Sequence, residues 1–171
     1  MKRTKELAII GLFVALLIGG QFALSAVSGI EVVTVLLISF CFYYGVRRGV
    51  LVGVAFSLLR CLVFGFFPSV LILYLVYYPI FAVVFGLVGQ KFNHTLTPKR
   101  HVFLVALGVV MVVLFTALDN VVTPLYYGFN KDESAAYAVA SLSTMLPQIL
   151  CNILTLSALL RPLVKLYKRV G

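Results

Sequence analysis

Six apolar runs, divided by short polar breaks, limit what this chain can fold into. They are Leu7 to Val27, Ile30 to Val46, Val50 to Phe66, Pro68 to Val88, His101 to Tyr126 and Ala135 to Leu160. A helix needs about 20 mainly apolar residues to cross a bilayer's hydrocarbon core. In lipid every backbone polar group needs an internal partner, so runs of this kind form helices. The second run is slightly short, which an upright helix or a locally thinner bilayer accommodates. The expected fold is an all-α integral membrane protein with six transmembrane helices in a single domain over residues 1–171. Composition agrees, with 63% hydrophobic and 11% charged residues, against about 25% charged in an ordinary soluble domain.

Lys and Arg orient the helices. With the N-terminus inside, the inner face collects Lys2, Arg3, Lys5, Arg47, Arg48, Lys91, Lys99, Arg100, Arg161, Lys165, Lys168 and Arg169. The outer loops keep Lys131 alone. Short loops obey the positive-inside bias, so both termini are expected to be cytoplasmic. The first run is longer than the roughly 7–15 residues of a signal-peptide core, so it is expected to persist as a helix. The net charge of +9 does not imply nucleic acid, because the cations sit at segment ends and form no basic stripe. Cys41, Cys61 and Cys151 lie within apolar segments and read as packing residues.

One cation breaks the pattern. Arg60 lies eleven residues above Gly49 in the third run, about 16 Å up a helix and near the midplane. An arginine there costs about 2.5–3.5 kcal/mol on insertion scales, so it must face protein or water. Gly49, Gly53, Ser57 and Arg60 share one helical face. Glu31 at the outer end of the second run and Asp119 in the outer half of the fifth are candidate partners, directly or through a ligand. A purely structural ion pair is the alternative reading.

Polar residues recur at helical spacing elsewhere. Ser141, Thr144, Gln148, Asn152 and Thr155 form one face of the sixth run. Thr116, Asp119 and Thr123 form one face of the fifth, with Asn120 beside it. Such faces turn toward each other or toward a cavity. Interhelical hydrogen bonding accounts well for Asn152 and Thr155, whereas Ser141, Thr144 and Gln148 share the outer depth of Asp119. Tyr74, Tyr78, Phe81 and Phe85 share a face of the fourth run, with Tyr77 adjacent. Tyr77 and Tyr78 lie about 15 Å below Pro68, too deep for an interfacial belt. Arg60, Asp119, Asn120, Tyr74, Tyr77, Tyr78, Gln148, Thr144 and Glu31 are therefore the candidate ligand-binding residues.

The first run carries Gly11, Ala15, Gly19 and Ala23 at four-residue steps, with Ala8 one turn earlier. A stripe of small residues lets another helix backbone approach closely in lipid. Gln21 is the only strongly polar group within that span, so the helix suits a docking surface better than a pocket wall. The chain has no nucleophile–base set, no HExxH motif and no glycine-rich phosphate loop, so it is not expected to be an enzyme. A stand-alone ion-coupled carrier would be expected to show internal repeats and broken midplane helices. No convincing repeat is found, and Pro147 has no counterpart in the first half. A structural subunit without ligand is the third class.

Across its whole length the chain resembles the substrate-binding S components of energy-coupling factor (ECF) vitamin transporters. The resemblance rests on its size, the six runs, the inward termini and the stripe Ala8, Gly11, Ala15, Gly19 and Ala23. Family members carry an alanine-based stripe there that docks onto a transmembrane coupling subunit; glycine replaces alanine at two steps here. The resemblance implies a cell-membrane protein, prokaryotic, that binds a vitamin at its outer side and partners a coupling subunit and two ATPases. ATP and Mg would belong to those partners, with no cofactor in this chain. Ile30-Glu31-Val32-Val33-Thr34-Val35 and the Gly45 to Gly49 turn are most similar to the cobalamin branch. One arginine, two acids, amides and phenols would equally suit pantothenate, a pyrimidine precursor of thiamin or queuosine. Folate fits less well, for want of a cation cluster.

Overall fold

Each apolar run contains a helix, and no strand occurs among the residues that the computed structural model describes, 2–25 and 32–170. The helices are α1 (Lys2–Ala23), α2 (Val33–Tyr44), α3 (Val46–Phe64), α4 (Pro68–Lys91), α5 (Pro98–Tyr127) and α6 (Lys131–Val170). Four of them, α1, α4, α5 and α6, are long and apolar enough to cross a membrane. At 19 residues α3 has the length, but it carries Arg47, Arg48 and Arg60. Only 12 residues long, α2 rises about 18 Å, well short of a hydrocarbon core. Val27, the Ser28-Gly29 turn, Ile30 and Glu31 lie outside the described residues.

The uniformly apolar composition of α2 follows from its place. A helix that is apolar on every side is buried on every side, and α2 is buried from Val33 to Phe42 apart from half-buried Leu36. It packs against α1, α3, α4 and α6. Around it the neighbours run α1 to α3, α3 to α4, α4 to α5 and α5 to α6. The outer helices turn large apolar side chains outward: Leu12, Leu62, Leu125 and Leu154 are each at least 70% exposed. An apolar surface of that extent needs a partner other than water, and lipid supplies one.

Two helix ends differ from the sequence reading. The expected five-residue turn Gly45 to Gly49 contracts to Gly45 alone, at φ +83. That conformation is open to glycine and strained for other residues. Arg47 and Arg48 consequently lie in the first turn of α3. At the other end of the chain, α6 extends past the expected run Ala135 to Leu160 at both ends, back to Lys131 and on to Val170. Its start is fixed by a reciprocal cap: Asn130 Oδ1 accepts from Glu133 N at 2.9 Å, and Glu133 Oε2 accepts from Asn130 N at 2.8 Å. Its 40 residues rise about 60 Å, roughly twice the hydrocarbon thickness.

Both ends of the chain reach the same end of the bundle. Glu6 of α1 pairs with Arg48 at the start of α3, Nε to Oε1 at 3.0 Å. Phe13 of α1 stacks on Phe40 of α2 with centroids 4.2 Å apart, and meets Tyr167 of α6 edge-on at 6.4 Å. Tyr167 in turn lies against Tyr43 and Tyr44, where α2 ends.

Candidate functional site

The small face of α3 does what its spacing allows. Gly49, Gly53 and Ser57 are buried, and a Cβ added at Gly53 would lie 3.2 Å from the Tyr78 backbone of α4. Ser57 donates within its own helix to the Gly53 carbonyl at 2.8 Å. This close approach brings Arg60, one turn higher, over the aromatic face of α4.

Arg60 is half-buried and places its guanidinium between two rings. Its carbon lies 4.6 Å from the Tyr74 centroid and 5.1 Å from that of Phe64 on its own helix. Nε is buried with no hydrogen-bond partner. Stacking of this kind contributes about 0.5–2 kcal/mol per ring, more where water is excluded. No ion pair joins Arg60 to a described acid; Glu6–Arg48 is the one ion pair among the described residues. Glu31, the other candidate partner, falls outside them.

Beneath Arg60 lies a continuous aromatic cluster. Tyr74 and Tyr78 meet edge-on at 4.9 Å, and Phe56 of α3 packs on both. Phe115 of α5 closes the far side against Tyr74 and Tyr77. Tyr77 donates its hydroxyl to the Met111 carbonyl at 2.9 Å, so its phenol is anchored between α4 and α5.

Asp119 lies one turn above Phe115, about 6 Å higher on α5. Its carboxylate is occupied locally. Thr123 donates to Oδ1 at 2.7 Å and Tyr137 of α6 donates to Oδ2 at 2.8 Å. Beside it Asn120 donates to Ser141 at 3.0 Å, while its own Oδ1 is buried without a partner. The α5–α6 polar faces therefore meet where α5 ends and α6 begins. The candidate residues thus fall into two neighbouring groups, one around Arg60 and one around Asp119, joined through Phe115.

The α6 face turns inward only in part. Asn152 is buried beside Gly108, and Ser141, Gln148 and Thr155 are half-buried. Thr144, expected to face inward, is exposed and donates to the Ser141 carbonyl of its own helix at 2.9 Å. The Asn120–Ser141 bond sets the antiparallel register, which puts Gln148 at about the depth of Val112 and the Tyr77–Met111 bond. Tyr137 was not among the residues singled out, although it stands four residues before Ser141 on the same face. Phe56 likewise precedes Arg60 and Phe64 at four-residue steps.

On α1 one stripe is buried, and the small residues lie on the exposed side together with Leu7, Leu12, Leu16 and Phe22. Ile10, Phe13, Val14 and Leu17 enter the core, while Ala8, Gly11, Ala15, Gly19 and Ala23 are all exposed. A Cβ added at Gly11 or Gly19 would meet nothing within 4 Å. The chain matches no family model, no curated protein and no solved structure.

Proposed function

We propose that this chain is the substrate-binding S component of an ECF-type transporter, with both termini in the cytoplasm and six membrane crossings, the short α2 making its crossing enclosed by α1, α3, α4 and α6. It takes up a vitamin at the outer side, cobalamin being the first candidate, in the space served by Arg60, Tyr74 and the Asp119 group. A transmembrane coupling subunit engages α1, and two ATPase subunits hydrolyse ATP. The chain itself performs no chemistry.

The observation that carries this reading is the division of α1. Ile10, Phe13, Val14 and Leu17 pack into the bundle, and the five small positions from Ala8 to Ala23 are left open, interleaved with exposed Leu12, Leu16 and Phe22. In lipid, apolar burial gives helices no reason to associate, so the small positions contribute by letting another helix fit closely between those side chains. Arg60 supports the ligand half of the proposal. A guanidinium held by rings keeps hydrogen-bond donors free of any described carboxylate. A ligand rich in carbonyl groups, such as an amide-bearing vitamin, would supply acceptors. Substitution at the candidate acid Asp119 should act less directly, because its oxygens already accept from Thr123 and Tyr137.

Reconstitution tests the proposal. Liposomes containing this chain with an ECF coupling subunit and its ATPases should accumulate the vitamin only when ATP is present. Accumulation by the chain alone, driven by an ion gradient, would make it a free-standing carrier instead.

A further inference from the structure

At the end of the bundle that holds both termini, α6 carries Arg161, Lys165 and Lys168 at steps of four and three, which places them on one helical face. Val164, buried, lies between them on the same side. Facing them across a cleft of about 310 Å³ are Leu96 and Pro98, where the α4–α5 linker enters α5. That volume lies at the small end of the range for ligand pockets, about 300–1,000 Å³. The cleft joins three cations to an apolar floor.

No described acid answers those cations. Of the chain's five acidic residues, Glu6 is paired with Arg48, and Asp119 is held by Thr123 and Tyr137. Asp132 and Glu133 stand at the opposite end of α6, about 42 Å from Arg161 by helical rise. Glu31 lies outside the described residues. The attraction of a helix C-terminus for cations accounts for Lys168 and Arg169 in the last turn. It does not account for Arg161, about two and a half turns from the end, nor for the convergence on Leu96 and Pro98.

We infer that this cleft binds the phosphodiester headgroup of an anionic phospholipid in the membrane leaflet at that end of the bundle. The floor of Leu96, Pro98 and Val164 receives the glycerol and upper acyl region, for which an inorganic ion has no use. Exposed Val102, one turn beyond Pro98 on the same face of α5, extends the apolar surface along which the acyl chains lie. Long basic side chains bury their stems against such surface and keep their charges at headgroup level.

The test is native mass spectrometry of the full chain released from detergent, after titration with phosphatidylglycerol, phosphatidylcholine of equal chain length, or inorganic phosphate. Phosphatidylglycerol should be retained in preference to phosphatidylcholine, with no retention of inorganic phosphate. Each cation near a membrane surface contributes roughly a fivefold change in affinity, so R161Q/K165Q/K168Q should weaken retention on the order of a hundredfold. The variant K5Q/R47Q/K91Q removes equal charge at the same end from exposed positions outside the cleft, and should retain the lipid. Equal retention of both lipids by the native chain, equal losses in both variants, or binding of phosphate alone would each overturn the inference. Unselective lipid retention together with loss of transporter assembly in R161Q/K165Q/K168Q would assign the face to an acidic protein partner.

Discussion

Arg60 lies over the ring of Tyr74, guanidinium carbon 4.6 Å from the ring centroid, and no described carboxylate pairs with it. The ring lowers the cost of keeping a cation among helices without consuming its hydrogen-bond donors. That arrangement separates what Arg60 does for folding from what it does for a ligand.

Replacing Arg60 by Met keeps a long flexible side chain against Tyr74 and removes the buried charge. Uncompensated charge within a membrane is costly, and apolar replacements of buried charge are often neutral or stabilising. The thermal midpoint in detergent should therefore hold or rise, while vitamin affinity measured by equilibrium dialysis falls at least about tenfold, the equivalent of one lost charge-assisted hydrogen bond. A large fall in the midpoint with affinity retained would make Arg60 a structural residue.

The Tyr137 hydroxyl donates to Asp119 across α5 and α6. Y137F should lower stability by about 1–2 kcal/mol, within the range for a hydrogen bond to a charged group or between membrane helices. Chemical unfolding in mixed micelles reads this directly. D119N should lose at least as much, because it keeps only one acceptor oxygen for the two hydroxyls and makes the remaining bond neutral. A Y137F variant as stable as the native chain would show that the bond contributes nothing net.

The two faces of α1 should respond oppositely to substitution. L17A opens a cavity at a fully buried site and should cost on the order of 2 kcal/mol. G19L adds bulk where a Cβ meets nothing within 4 Å, so folding and ligand affinity should be unchanged. Co-purification with the coupling subunit should fail in G19L. Assembly that survives G19L would remove the stripe from the docking surface.

Gly45 turns the chain between α2 and α3 in a single residue at φ +83. The nearest obstacle to a Cβ there is Gln90 Nε2 at 3.7 Å, so G45A tests backbone strain rather than crowding. It should destabilise by about 1–3 kcal/mol, the usual cost of holding a residue with a side chain in a backbone region open to glycine alone. An unchanged thermal midpoint would place the strain elsewhere.

Much of the helical layout was legible because apolar runs and proline starts are local signals. Pro68 opens α4, as its position suggested, and the α3 face of Gly49, Gly53 and Ser57 is buried as its spacing implied. The character of α2 was not legible. A central helix wrapped by protein and a helix wrapped by lipid are both apolar on all sides, so composition alone cannot separate them. Nor was the length of α6, because its cations read as a polar tail although Leu163, Val164 and Tyr167 still pack on the core. At the candidate site the tyrosine face of α4 followed from its spacing. The partners of Asp119 did not, since Thr123 and Tyr137 reach it only once α5 and α6 take their register.

The most direct test of a substrate-binding role is the native mass of the gently purified full chain. Protein from vitamin-replete cells should carry one small molecule of definite mass, cobalamin being the first candidate, and R60M should carry none. A bare chain that stays bare after incubation with cobalamin, pantothenate, thiamin precursors, queuosine and folate would contradict the proposed function.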